Sequence, residues 1–163
     1  EITRFNIYDI TLQYTKINLT RLLEQLVYEF KPMLKSKNLQ CNLCVDDDIM
    51  LRCDADKIQR VFDNLLRNAV IYSFENTDIT ISAQCHEDTV SIIFCNHGDT
   101  LPEEKLNRIF EQFYRLDAAR STSSGGAGLG LAIVKQIVEL HNGTIVAESQ
   151  EDQNKFSITL PLA

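Results

Sequence analysis

The chain has 163 residues, a formal net charge of −7, 44% hydrophobic residues and 24% charged ones. That length suits one compact domain, and that composition excludes a wholly disordered chain. The acidic balance argues against a broad nucleic-acid-binding surface, and no apolar run approaches the ~20 residues that cross a bilayer, so any bound anion must be held locally.

Glu1–Asn6 reads as the close of a helix that began upstream, and Ile10–Ile17 as a first strand. Asn18 is a capping residue ahead of Leu19, Leu22, Leu23, Leu26, Val27, Phe30 and Leu34, one apolar helical face whose last turns Pro32 should bend or weaken. Strands are predicted over Leu39–Val45 and Ile49–Cys53, joined across the acidic turn Asp46-Asp47-Asp48. Asp54 caps the next predicted helix, with Ile58, Val61, Phe62, Leu65 and Ala69 on its core face. Ile79, Ile81, Ala83 and Cys85 alternate as a strand, and Val90, Ile92 and Phe94 as its hairpin partner beyond the turn at His86–Asp88. Pro102, Glu103 and Glu104 open a short helix with proline in the first helical position. Ala118–Ala127 is small and polar and reads as a mobile loop, leading into a helix over Leu129–His141 that stops at Asn142-Gly143. A hairpin over Thr144–Ser149 and Lys155–Leu160 ends the chain, which reads as one domain of mixed sheet and helices.

Five cysteines form no even framework, and Cys41 and Cys44, three apart on a strand, face opposite sides. Buried or half-buried free thiols in a reducing cytoplasm fit better than a metal site or a disulfide. Gly126-Ala127-Gly128-Leu129-Gly130 lies at the junction of loop and helix, where backbone N–H groups favour phosphate, although glycines there also make a plain hinge. It is neither the dinucleotide fingerprint nor a P-loop. Asn64 and Asn68 share one helical face beside the core stripe. Their amide oxygens suit Mg²⁺ held together with substrate phosphates, or they are two solvated polar residues. Asp63 and Arg67 read as a surface ion pair. Asn96–Pro102 alone says turn; Phe110 and Phe113 alone say core; Arg115, at the base of the loop, is placed to reach a phosphate.

Together, in this order, the motifs resemble those of the catalytic ATP-binding domain of bacterial sensor histidine kinases, from about Thr11 to Leu162. The asparagine box is Asn64-Leu65-Leu66-Arg67-Asn68-Ala69 with Tyr72-Ser73 behind it; the first glycine box is Asn96–Pro102; the phenylalanine box is Phe110 and Phe113; the second glycine box is Gly126–Leu131. Within the family, Phe113–Ser121 and Gly125–Ala132 are most similar to the vancomycin-resistance (VanS-type) sensor kinases, which implies a place in glycopeptide-antibiotic resistance.

The resemblance implies an α/β two-layer sandwich of the Bergerat (GHKL) type, a mixed sheet with helices on one face and a flexible ATP lid. Residues 11–163 would be the catalytic domain, and residues 1–10 the end of an upstream dimerisation helix and its linker. Asn68 would ligate Mg²⁺ with Asn64 close by; Tyr72 would lie against adenine; Gly98 would admit the purine edge. Gly126, Gly128, Leu129 and Gly130 would shape the lid and phosphate wall, Arg115 would contact the terminal phosphate, and Phe110 and Phe113 would anchor or release the lid. Related ATPases carry a water-activating Glu where Asn64 stands, so Asn there implies phosphate kept for histidine.

Asn96 replaces the family's Asp, which accepts from the adenine amino group; Thr100 replaces a glycine, and Ile71 a frequent Lys. His86 has no phosphoacceptor context, so the acceptor histidine belongs to a dimerisation domain outside this chain. The implied partners are ATP, that domain and a response regulator, with no nucleic acid. The fragment is expected to be monomeric, and the full-length protein a homodimeric membrane sensor with this domain in the cytoplasm. The competing readings are a non-catalytic nucleotide-sensing module and another ATPase or serine kinase of the superfamily.

Overall fold

The structure, a computed structural model, describes residues 11–111 and 130–163. Arg115, Phe113, Gly126, Gly128, Leu129, the expected lid and the expected upstream helix tail lie outside the described residues.

The elements run β1 (Tyr14–Asn18), α1 (Leu19–Glu29), α2 (Lys31–Ser36), β2 (Gln40–Val45), β3 (Met50–Asp54), α3 (Ala55–Tyr72), β4 (Asp78–His86), β5 (Thr89–His97), α4 (Glu103–Leu106), α5 (Gly130–Leu140), β6 (Thr144–Gln150) and β7 (Gln153–Pro161). Five strands make one mixed sheet in the order β2-β4-β5-β7-β6, parallel only between β2 and β4. Residues Ile79, Ile81, Ala83, Val90, Ile92, Phe94, Ile158 and Leu160 alternate onto its inner face, where α1, α3 and α5 cover them with their own apolar stripes. Each such side chain removed from water contributes ~1.5–3 kcal/mol, so the layer contact is the main source of stability. This is the expected two-layer α/β sandwich.

Sequence signals set most boundaries. Asn18 Oδ1 accepts from the Arg21 N–H at 3.0 Å and starts α1. Pro32 lacks an N–H to continue that helix, and the chain breaks at Phe30 into α1 and α2. Asp54 accepts from the N–H groups of Lys57 and Gln13 at 3.2 and 2.9 Å. One pairing went unread in the sequence, and one expectation needs adjusting. The strands either side of Asp46–Asp48 do not pair; β3 pairs with β1 as a separate ribbon, and β2 with β4. Asp63 and Arg67 make no ion pair, because Arg67 lies over the Phe30 ring (5.4 Å) and donates to Met33 Sδ (3.7 Å).

The end of α5 divides two jobs between Asn142 and Gly143. Asn142 takes the left-handed conformation (φ 62°), and the N–H groups of Asn142 and Gly143 return to Glu139 and Val138 carbonyls at 2.9 and 3.0 Å. Gly143 is needed for room, since a Cβ there would press on the Thr159 carbonyl and Leu160. The five thiols are free; Cys41, Cys53 and Cys95 are buried or half-buried as expected, whereas Cys44 and Cys85 are exposed at the outer face and end of their strands. Among the described residues no helix is long and apolar enough to cross a membrane.

Candidate functional site

The site is built where the core stripe of two central strands gives way to polar residues. Along β5 the inner face reads Val90, Ile92, Phe94, Asn96, all buried, with Asn96 only 4% exposed. Asn154 of β7 stands opposite it in register and begins the stripe that continues through Phe156 and Ile158. Two small amides in place of large apolar side chains leave the layers apart. A cavity of 280 Å³ opens there, lined by Asn68, Tyr72, Asn96, Asp99, Thr100, Leu101, Pro102, Lys105, Ile109, Asn154 and Phe156.

α3 carries the first wall. Its stripe of Ile58, Val61, Phe62, Leu65 and Ala69 docks on the sheet and leaves Asn64 and Asn68 half-buried at the border of that stripe. Among the described residues neither amide has a hydrogen-bond partner, so their oxygens are available to a ligand. Asn68 lines the cavity. Asn64 lies one turn back and faces Gly130, the first residue of α5, where a Cβ would come within 3.9 Å of its Cγ. The fold thus brings the asparagine box against the start of α5.

The loop after β5 forms the second wall. It is pinned to α3 by the Phe74 N–H donating to the His97 carbonyl at 2.8 Å. Gly98 sits so close to the last turn of α3 that a Cβ would collide with the Tyr72 carbonyl oxygen. Here glycine is dictated by packing, and Gly98 is not among the cavity-lining residues. Thr100 is held from the other side by the β6–β7 turn. Asp152 Oδ1 accepts from the Thr100 N–H and Oγ1 at 3.2 and 3.0 Å, the Asp152 N–H donates to Thr100 Oγ1 at 2.7 Å, and the Asp152 carbonyl accepts from Gly98 at 3.1 Å. The Thr100 hydroxyl therefore clasps the loop to the hairpin.

Asn154 is locked: its Oδ1 accepts from Ser149 Oγ and its Nδ2 donates to the Asp99 carbonyl at 3.2 Å. Asn96 is not locked, and its Nδ2 is buried without a partner. Phe110 packs edge-on against Phe156 at 6.2 Å, beneath Lys135. Lys105 of α4 is the cation among the described residues of the cavity wall. His141 is elsewhere: with Tyr14, Leu51, Arg52 and Leu160 it lines a separate small crevice at the β1–β3 ribbon.

Of the sequence-derived residues, the structure gathers Asn68, Tyr72 and Asn96 on one cavity and places Asn64, Gly98 and Gly130 immediately behind its walls. Sequence reasoning missed Lys105 and Asn154. Asn154 was detectable as the polar residue on the buried side of Asn154, Phe156, Ile158, Leu160; Lys105, on a one-turn helix, carried no such signal. A lone His/Cys/Asp/Glu metal centre is absent among the described residues. The amide oxygens of Asn64 and Asn68 do fit a magnesium ion, which takes neutral carbonyls together with substrate phosphates.

Residues 53–163 match the family of histidine kinase-, DNA gyrase B- and HSP90-like ATPases. The chain is 47% identical over 161 residues to the sensor protein VanS of Enterococcus faecium, covering 99% of this chain and 42% of that protein. It is 43% identical to the sensor protein VanSC of Enterococcus gallinarum, covering 99% of this chain and 44% of that one. It therefore spans less than half the length of these relatives. Among solved structures, the catalytic domain of histidine kinase ThkA superposes with a TM-score of 0.83 at 27% identity, covering 93% of this chain and 97% of that one. ThkA has also been solved in complex with the response regulator protein TrrA, and that kinase chain superposes with a TM-score of 0.79. The chain belongs to the histidine kinase-, DNA gyrase B- and HSP90-like ATPase family, as a catalytic domain of the sensor histidine-kinase kind.

Proposed function

We propose that this domain binds ATP with Mg²⁺ and transfers the γ-phosphoryl group to a histidine on a dimerisation domain of the same protein, outside the given sequence. The phosphoryl group then passes to a response regulator, and the similarity to VanS proteins makes glycopeptide-antibiotic resistance the process served. Residues 11–163 are the catalytic unit, residues 1–10 the link to the dimerisation helix, and the whole protein a homodimeric membrane sensor with this domain in the cytoplasm. The observation that carries the reading is the convergence of Asn68, Tyr72, Asn96 and Lys105 on one cavity beside the start of α5.

Phosphoryl transfer asks the protein mainly for positioning and charge neutralisation. Magnesium, when bound, spreads the charge of the phosphates. Asn68 offers its amide oxygen to that ion with Asn64 beside it. Tyr72, Phe156 and Ile109 give the base an apolar bed, and Asn96, with Gly98 behind it, meets the base edge. The N–H groups at the start of α5, with the second glycine box, favour the phosphates, and Arg115 takes the terminal one. Asn64 lacks a carboxylate to activate water, which spares the phosphoryl group from hydrolysis.

The test supplies the upstream helical hairpin in trans with labelled ATP. Acid-labile label on its histidine is expected. Tight, Mg²⁺-dependent ATP binding with no label would favour a nucleotide-sensing module instead. In Asn68→Ala, Mg²⁺-dependent nucleotide binding should be lost with the circular dichroism unchanged; unaltered affinity would remove Asn68 from the metal site.

A further inference from the structure

Asn96 is buried at the end of β5, projects from the inner face of the sheet into the cavity, and keeps an amide nitrogen with no partner. Its neighbour Asn154 is of the same chemistry but is fixed by Ser149 and the Asp99 carbonyl, so only one of the two amides is free to answer a ligand. Asp99, the acidic residue among the described lining of the cavity, is exposed. A buried donor without an acceptor is costly until a ligand supplies one.

Resting on the nucleotide reading above, we propose that Asn96 widens the base range of this site, so that it admits 6-oxopurine nucleoside triphosphates alongside ATP. A carboxylate at this position would only accept. It would bond a 6-amino group and repel a 6-oxo group. A primary amide carries an acceptor and two donors on one planar group. Turned one way it accepts from the 6-amino group; turned the other it donates to the 6-oxo group. In the ligand-free cavity the amide nitrogen is packed against Gly98, so a half-turn of the amide presents it to a 6-oxo group. Among the described residues of the cavity, Tyr72, Ile109 and Phe156 offer ring faces and apolar edges that either purine fits, and Asn154 is already bonded.

The experiment is calorimetric titration of this chain with ATP, ITP and GTP in Mg²⁺, repeated on Asn96→Asp. In the natural chain ATP and ITP should bind within about tenfold of each other, while in Asn96→Asp the ratio should move toward ATP by about tenfold or more. GTP should follow ITP unless its 2-amino group clashes, which is why ITP decides. A natural chain that rejects ITP as strongly as Asn96→Asp does would overturn the proposal while leaving ATP binding intact. Failure of all three nucleotides to bind would overturn the nucleotide reading itself, and this proposal with it. Should Asn96→Asp not fold, the ATP-to-ITP ratio of the natural chain still decides, and Asn96→Ser, whose hydroxyl both donates and accepts, should keep that ratio.

Discussion

The backbone N–H of Asp54 donates to Nε2 of His141 across 3.0 Å, while Nδ1 of the same ring donates to the Ile137 carbonyl at 2.8 Å. One buried imidazole therefore joins the start of the helix that carries Asn64 and Asn68 to the end of the helix that Gly130 begins. The Tyr14 ring, 5.7 Å away, covers it from the β1–β3 ribbon.

His141→Ala should cost about 1–3 kcal/mol of stability, because it leaves the buried Asp54 N–H without an acceptor. Urea unfolding monitored by circular dichroism measures the loss. Nucleotide affinity under folding conditions should stay within error of the natural chain, since His141 lies outside the cavity.

Asp54 gives stability a defined acid dependence. Burial works to raise its carboxyl, but the N–H groups of Gln13 and Lys57 and the neighbouring charge of Lys57 outweigh it and hold the carboxyl below its ordinary value. A carboxylate depressed by folding stabilises above its unfolded value, and the contribution drains away as pH falls through the folded one. Asp54→Ala should therefore lose about 0.5–2 kcal/mol at neutral pH, the worth of a helix cap, and the gap to the natural chain should narrow in acid. Paired urea titrations at the two pH values check the sign.

Lys37 reaches across from the end of α2 to place its ammonium on the Val70 and Ile71 carbonyls, at 2.9 and 3.0 Å. These are last-turn carbonyls of α3, where a cation also meets the negative end of the helix dipole. Lys37→Met should destabilise by about 1–2 kcal/mol. Amide exchange at Tyr72, Ser73 and Phe74 should speed up with it, because that turn supports the wall at Gly98.

Thiol chemistry should sort by environment. Burial pushes the Cys41 thiol up to about 12, and burial together with the Asp54 carboxylate does the same to Cys53. Burial also raises Cys95, against the pull of Lys155. Cys44 and Cys85 are exposed. An iodoacetamide pulse read by mass spectrometry should label Cys44 and Cys85 first, Cys95 later, and Cys53 only once the chain unfolds.

Much of the architecture was legible because local signals and burial agree. Asn18 and Asp54 cap where they stand, and the alternation through Ile79–Cys85 and Val90–Phe94 gave the hairpin and its inner face. Strand partners were less legible. Asp46–Asp48 is short enough for a hairpin, and nothing local announces that β2 and β3 part to join different sheets. Asn142-Gly143 shows the limit of reading turns by composition. The pair ends a helix as expected, but asparagine supplies the left-handed residue and glycine the clearance. The cavity was legible through Asn68, Tyr72 and Asn96, whose polarity interrupts apolar stripes. The Thr100–Asp152 clasp was not, because it joins a loop to a turn that only the β5–β7 register brings together.

That register has a further consequence. Because β5 pairs directly with β7, all the chain from the first glycine box to the β6–β7 turn is, topologically, one excursion closed by the sheet. The entropy of closing an excursion grows only with the logarithm of its length, so a doubling costs about 0.6 kcal/mol. A change of a few residues in the length of that excursion should therefore shift the unfolding free energy by less than about 1 kcal/mol. The sheet fixes where the excursion leaves and returns, at the pair Asn96 and Asn154, and leaves the distance travelled between them open to selection.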